Sequence, residues 1–281
     1  MKRVDLGSWK IDHHNRLRGS SDFPEIELNA IASHILEKPV SWIVAHPETV
    51  LTEAQLRLLA DAVARLLTGE PLAYITGRQA FYNLDFYVDP RVLIPRPETE
   101  LLVEHAAAWL KEHPERKVVA DIGTGSGVIA VTLAHLFPNI EVTAADVSPD
   151  ALEVARKNAM LQHVEKQIKF VQSDLLGGVD RDFDLILANL PYIPTQTLKD
   201  LNDLRFEPRK ALDGGSDGLD LIKKLLDQIP GFITPGGCAI LEIQYNQHIA
   251  VGEIAGRRFP QAVVTYHKDL ASLPRIIKIQ L

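Results

Sequence analysis

The stretch ADIGTGSGVIA, residues 120–130, constrains this chain more than any other. The apolar run KVVADIG leads into Gly123, Gly125 and Gly127, and the helical pattern GVIAVTLAHLF follows at once. A strand that turns on glycines straight into a helix opens a parallel α/β sheet, because glycine lets the backbone fold tightly and approach a ligand. The alternation then continues. IEVTAADVS, IKFVQSD, FDLILANLPY and GCAILEIQ read as strands; PDALEVARKNAMLQ, GLDLIKKLLDQI and HIAVGEIAG read as helices. Strands alternating with helices predict a doubly wound, mostly parallel sheet. Only LASLP separates the last two strands, AVVTYHKD and RIIKIQL. Parallel neighbours need a long crossover, so the final strand is expected to insert antiparallel.

The region before this alternation is different. Residues 1–75 read as helices only. EIELNAIASHILEKPV places Ile26, Leu28, Ile31, Ile35 and Leu36 at helical spacing before Pro39. In LTEAQLRLLADAVARLLTGEP, Thr52 and Gln55 form a capping-box signature, and Leu56, Leu59, Ala60, Val63, Leu66 and Leu67 form an apolar stripe. Residues 76–96 alternate aromatic and branched residues around Asn83, which predicts a β-hairpin linker. Residues 97–281, opening with Pro97 in a first helical turn, then make the α/β domain. The expected architecture is a Rossmann-like α/β sheet with a small all-helical N-terminal domain and a hairpin between them.

Composition narrows the function classes. With 30 Lys+Arg against 37 Asp+Glu, the net charge of −7 argues against a long nucleic-acid footprint. One cysteine, Cys238, excludes an intramolecular disulfide and a multi-cysteine metal cluster. The start MKRVDLGSWKIDHHNR has no signal-peptide core, and no run approaches a membrane span. A cytoplasmic monomer is the expectation. His13-His14, His105 and His113 lack ligand spacing, so no metal is expected.

The glycine loop points to a cofactor. Its spacing is G-x-G-x-G, one residue short of the dinucleotide fingerprint, and no P-loop lysine follows. Asp121, two residues before Gly123, suits an ammonium group better than a pyrophosphate. S-adenosylmethionine has that ammonium and no phosphate. Asp146 ends the next strand, where a carboxylate can accept ribose hydroxyls. Asp174 ends the strand after it and can meet the adenine edge, with Leu175 packing on the ring. Taken singly, each acid could be a cap or turn former. Three at successive strand ends beside a glycine loop point to a ligand site.

The fourth strand end carries Asn189-Leu190-Pro191-Tyr192. These residues suit a planar nitrogen, a poor nucleophile because its lone pair is delocalised. The Asn189 side-chain oxygen and the Leu190 carbonyl could accept its two hydrogens, while Tyr192 stacks on its face. Methyl transfer then needs alignment and electrostatics more than a strong base.

The combination resembles the class I methyltransferases bearing an N-P-P-Y motif. More narrowly, AHPETVLTEAQ, GEPLAYITGRQAFYNLDFYVDPRVLIPRPETE, DIGTGSGVIA, NLPYIP and EPRKALDGGSDGLD together resemble the protein-(glutamine-N5) methyltransferases of peptide chain release factors, the HemK/PrmC family. The resemblance spans nearly the whole chain. It implies methylation of the glutamine in the Gly-Gly-Gln motif of release factors and a helical domain that docks them. RPETE favours this branch over sister enzymes acting on a ribosomal protein. Carried over by position, Gly123, Thr124, Gly125, Ser126 and Gly127 line the cofactor. Asp146 holds its ribose, Asp174 and Leu175 border the adenine, and Asn189 meets both the methyl end and the substrate amide. Phe86, Pro95, Arg96 and Thr99 close the site. Leu190 departs from the family's proline, which implies a less pre-organised loop. The competing readings are a nucleic-acid amino methyltransferase with a similar site and a non-catalytic cofactor-binding homologue. A nicotinamide dehydrogenase is disfavoured by the glycine spacing.

Overall fold

The structure, a computed structural model, describes residues 3–19 and 21–281. They divide into two compact units, Met1–Arg78 and Gln79–Leu281.

The first unit is helical: α1 (Leu6–Leu17), α2 (Pro24–Leu36), α3 (Val40–Ala45), α4 (Glu53–Leu67) and α5 (Leu72–Thr76). Local signals set the ends. Asp5 caps α1 by accepting from the Ser8 N–H at 2.8 Å. The capping box of α4 forms as its sequence implies, with Gln55 N–H donating to Thr52 Oγ1 and Thr52 N–H to Gln55 Oε1. Helix α2 stops at Glu37, which takes a left-handed cap at φ 53°. The core holds Leu6, Leu28, Ile31, Ile43 and Leu59. Three expectations change, the first being Leu67, which ends the α4 stripe exposed. Ile26 is 65% exposed. On α4 the buried stripe runs through Ala62, not the exposed Ala60. With Leu59 buried, positions i+3 and i+4 are Ala62 and Val63, while residue 60 lies a quarter-turn away.

Apart from Arg78, the hairpin of β1 (Arg78–Phe81) and β2 (Leu84–Tyr87) opens the second unit. Tyr82 and Asn83 both have positive φ, 50° and 60°, as a two-residue hairpin turn requires. Phe81 and Phe86 pack edge-to-face at 6.0 Å inside the core of this unit. The remaining elements are α6 (Thr99–Glu112), β3 (Val118–Ile122), α7 (Val128–Leu136), β4 (Glu141–Asp146), α8 (Pro149–Leu161), β5 (Ile168–Gln172), β6 (Phe183–Ala188), α9 (Thr195–Leu198), α10 (Asp220–Gln228), β7 (Ile233–Glu242), α11 (His248–Arg258), β8 (Val263–Lys268) and β9 (Pro274–Gln280). Pro97 lies in the turn before α6 rather than within its first turn.

Among the described residues the main sheet has seven strands in the order β5-β4-β3-β6-β7-β9-β8. β3 through β7 run parallel, and β9 pairs antiparallel with both β7 and β8. The short connection before β9 therefore has the consequence expected of it. Side chains alternate between the two faces. Val119, Leu185 and Leu187 join the core with α6 and α7, whereas Ala120, Ile186 and Ala188 join the core with α10 and α11. From the central β3, the chain winds outward to β4 and β5, then returns to β6. The strand order reverses between β3 and β6, which opens a crevice beyond their carboxyl ends.

Candidate active site

The glycine loop is set by its backbone. Gly123, Gly125 and Gly127 have φ of 74°, 55° and 83°, which side-chain-bearing residues rarely adopt. Gly127 also brings α7 against α8, since a Cβ there would lie 2.9 Å from Ala155 Cβ. A Cβ on Gly125 would approach only the Gly123 carbonyl, at 3.9 Å, so the loop leaves open space there. Asn158, fully buried on α8, braces the loop. Its Nδ2 donates to the carbonyls of Ser126 at 2.8 Å and Tyr87 at 2.9 Å, and its Oδ1 accepts from the Tyr87 N–H.

Asp146 stands at the carboxyl end of β4. It accepts from the Gly125 N–H and the Ser148 N–H, both at 2.9 Å. Burial raises its carboxyl above the usual range, and these backbone bonds oppose the rise. Asp174 is exposed beyond β5 and paired with Lys224. Leu175 follows at φ 55°, its side chain buried in the core.

Asp121 stands near the carboxyl end of β3. It is 0% exposed and lies under the loop, where Oδ2 accepts from Thr124 Oγ1 at 2.6 Å and the Ala130 N–H at 3.1 Å. Burial pushes its carboxyl up to about 6, and nearby Asp146 adds to the rise. Oδ2 thus shapes the loop, while Oδ1 is buried without a hydrogen-bond partner among the described residues.

Asn189 follows β6 at the edge of the reversal point. Its Nδ2 donates to Thr99 Oγ1 at 2.9 Å. Leu190 is 4% exposed, and its side chain covers Gly123. The glycine segment before α10 wraps this tetrapeptide. A Cβ on Gly214 would lie 2.7 Å from the Pro191 carbonyl, and one on Gly218 would clash with the Tyr192 carbonyl. Gln247 Nε2 donates to that same Tyr192 carbonyl at 3.0 Å. The Tyr192 hydroxyl reaches Glu242 Oε1 at 3.4 Å, and burial, followed by the Glu242 charge, raises its pKa. A cavity of ≈ 270 Å³ opens here, lined by Arg96, Asn189, Leu190, Pro191, Tyr192 and Leu204 among others. Arg96 pairs with buried Glu207, which also accepts from the Ile94 N–H. Of the four closing residues expected from sequence, Arg96 and Thr99 are at the site. Phe86 is buried at 1% exposure against Phe81, and Pro95 is buried beside Arg96.

Sequence reasoning passed over Glu242, Glu207, Asn158 and Gln247. Glu242 had the signal already used for Asp146 and Asp174: an acid closing a strand of the same sheet edge. Asn158 and Gln247 had none, since their partners are backbone carbonyls from distant segments.

The residues at the crevice fit S-adenosylmethionine. The open space at Gly125, two carboxylates at successive strand ends and a loop without lysine suit a cationic ligand that has hydroxyls and lacks phosphate. The family model described as Methyltransferase small domain matches residues 97–203, and the one described as PrmC N-terminal domain matches residues 14–77. Sheet, loop and strand-end acids thus define a class I methyltransferase that uses S-adenosylmethionine. The release factor glutamine methyltransferase of Koribacter versatilis is 40% identical over 260 residues, 90% of each chain. That of Moorella thermoacetica is 41% identical over 239 residues, 84% of each. The chain belongs to the family of release factor glutamine methyltransferases. Among solved structures, a ribosomal protein L11 methylase from Lactobacillus delbrueckii subsp. bulgaricus shares the fold, with a TM-score of 0.51 and 21% identity over 72% of this chain and 89% of that one.

Proposed function

We propose that this enzyme transfers a methyl group from S-adenosylmethionine to the side-chain amide nitrogen, N5, of the glutamine in the Gly-Gly-Gln motif of peptide chain release factors. The observation that carries this reading is the polarity of Asn189: its NH₂ is committed to Thr99, while its Oδ1 accepts no bond among the described residues. The names of the curated relatives supply the substrate.

When bound, S-adenosylmethionine supplies an electrophilic methyl on a sulfonium; its transfer makes an N–C bond, breaks the S–C bond and sheds one amide proton. The chain's own residues do the rest. Gly123 to Gly127 hold the cofactor, Asp146 its ribose, and Asp174 with Leu175 its adenine. Asn189 Oδ1 and the Leu190 carbonyl accept the two hydrogens of the substrate amide. Asn189 is held beforehand by Thr99, so its oxygen can stabilise positive charge developing on the amide without reorganising. Pro191 holds the turn, and Tyr192 stacks on the amide plane. Residues 1–75 dock the release factor, and the net charge of −7 supports a protein substrate over a nucleic acid. The enzyme works as a cytoplasmic monomer; among the described residues no helix is long and apolar enough to cross a membrane.

The test is a transfer assay with purified protein, labelled S-adenosylmethionine and a release factor, read by peptide mass mapping. One added methyl on the Gly-Gly-Gln glutamine is expected. Transfer to DNA or RNA and not to the release factor would overturn the reading.

A further inference from the structure

Glu207 lies in the connection between α9 and α10, where residues 199–219 run through short turns rather than strands or α-helices. Its side chain is nonetheless only 2% exposed. A carboxylate taken out of water is costly unless its oxygens are paired. Both are. Oε1 accepts from Arg96 Nη2, and Oε2 accepts from the Ile94 N–H at 3.0 Å. These partners stand 111 and 113 residues back in the chain.

The backbone of the same stretch is held differently. Lys199, Asp200, Leu201, Leu204, Arg205 and Glu207 each donate to a carbonyl three residues back, so these bonds shape turns and reach no other segment. Further on, the chain returns beside the tetrapeptide. The Ile193 N–H donates to the Leu212 carbonyl at 3.1 Å, and the Gly214 N–H donates to the Ile193 carbonyl at 2.8 Å. The cavity at the tetrapeptide is lined from three stretches: Leu93 with Arg96, residues 189–193, and Leu204 with Ala211 and Leu212. The first and the third are the two stretches that Glu207 joins.

We propose that Glu207 is a positioning residue for the methyl acceptor: by clasping residues 94 and 96 it holds the 204–212 wall of the cavity, and the Arg96 guanidinium, at the spacing the acceptor side chain needs. This rests on the proposed function for the identity of the acceptor, but the clasp itself is a property of the enzyme alone. Methyl transfer depends on alignment, and a misplacement of roughly 1 Å is enough to slow such a step severely. Glu207 makes no hydrogen bond to the glycine loop or Asp146 among the described residues, so its effect falls on the acceptor and not on the cofactor.

The test uses Glu207→Gln, which keeps the shape and one acceptor oxygen but sets an NH₂ against one of the two donors. Amide hydrogen exchange of the full-length enzyme reads the clasp without substrate. Exchange at Ile94 and at residues 204–212 should quicken about tenfold or more in the variant, with the amides of β3 and β6 unchanged. Unaltered exchange at Ile94 and 204–212 overturns the proposal, whatever the methyl acceptor proves to be. An equal rise across the sheet would show a merely structural role and overturn it too. In the release-factor assay, the variant should raise KM for the release factor about tenfold, with a smaller fall in kcat and with cofactor affinity by titration retained. An unchanged KM counts against the clasp. Arg96→Gln should reproduce the loss, and the double variant should cost little more than the larger single change, because both break one clasp. Additive losses count against it. Where Glu207→Gln does not fold, Arg96→Gln, which alters the more exposed partner, carries the same exchange measurement. A wild-type enzyme that leaves the release factor unmodified would refute the substrate assignment and leave hydrogen exchange to decide the role of Glu207.

Discussion

Leu190 lies directly over Gly123: a Cβ added to the glycine would sit 2.9 Å from Leu190 Cδ2. The Asn189–Tyr192 tetrapeptide and the glycine loop are thus in van der Waals contact through one side chain and one missing side chain. Gly123→Ala adds both this clash and an unfavourable φ of 74°. The expected result is a destabilisation of about 1–3 kcal/mol with a much weakened cofactor affinity, read by thermal melting and titration.

The same contact revises what Leu190 does. Where the family has proline, this chain uses a buried leucine as packing. Leu190→Pro should keep turnover, since among the described residues no backbone hydrogen bond uses the Leu190 N–H, but it should lower the melting temperature by removing that packing. A folded Leu190→Pro enzyme without turnover would contradict this account.

Asn189 and Asp146 should separate chemistry from binding. Asn189→Ala is expected to lower kcat roughly 10²-fold with little change in cofactor affinity, the scale of losing one preorganised polar group at a transition state. Asp146→Ala is expected to weaken cofactor binding first. Equal losses in both parameters for Asn189→Ala would make it a cofactor ligand only.

Asn158 makes three hydrogen bonds that join the hairpin to the glycine loop. Asn158→Ala leaves the buried Ser126 carbonyl and the half-buried backbone groups of Tyr87 without this partner. A loss of about 2–4 kcal/mol by denaturant unfolding is expected, together with weaker cofactor binding.

Stability should also depend on pH through Glu242. Its pKa rises from 4.5 to about 7 in the fold. A raised acid binds more protons folded than unfolded between these values, so its contribution is full below about 4.5 and falls as pH climbs toward 7. Glu242→Gln removes that loss. The melting temperature of the variant relative to wild type should rise from pH 5 to pH 8, and a constant difference would argue against the shift.

Cys238 is buried at 0% exposure, and burial pushes its thiol up to about 12. A thiol so placed is inert filler. Cys238→Ser should leave methyl transfer unchanged in the folded protein; a dead but folded variant would overturn that view.

The sequence by itself determined the layers, the strand directions and the crevice, because hydrophobic period, glycine placement and connection length are local properties that the chain writes in order. It also marked Asp146, Asp174 and Asn189, each of which closes a strand at the same edge. The tertiary structure alone decided what those positions meet. Asp121 has the look of a ligand acid in sequence, and the turn it precedes folds back over it and takes one of its two oxygens, Oδ2. Glu242 looks like one more strand-end acid, yet β7 brings it to Tyr192, 50 residues away in the chain. Side-chain partners across such separations depend on register and packing between elements, and no local pattern encodes them.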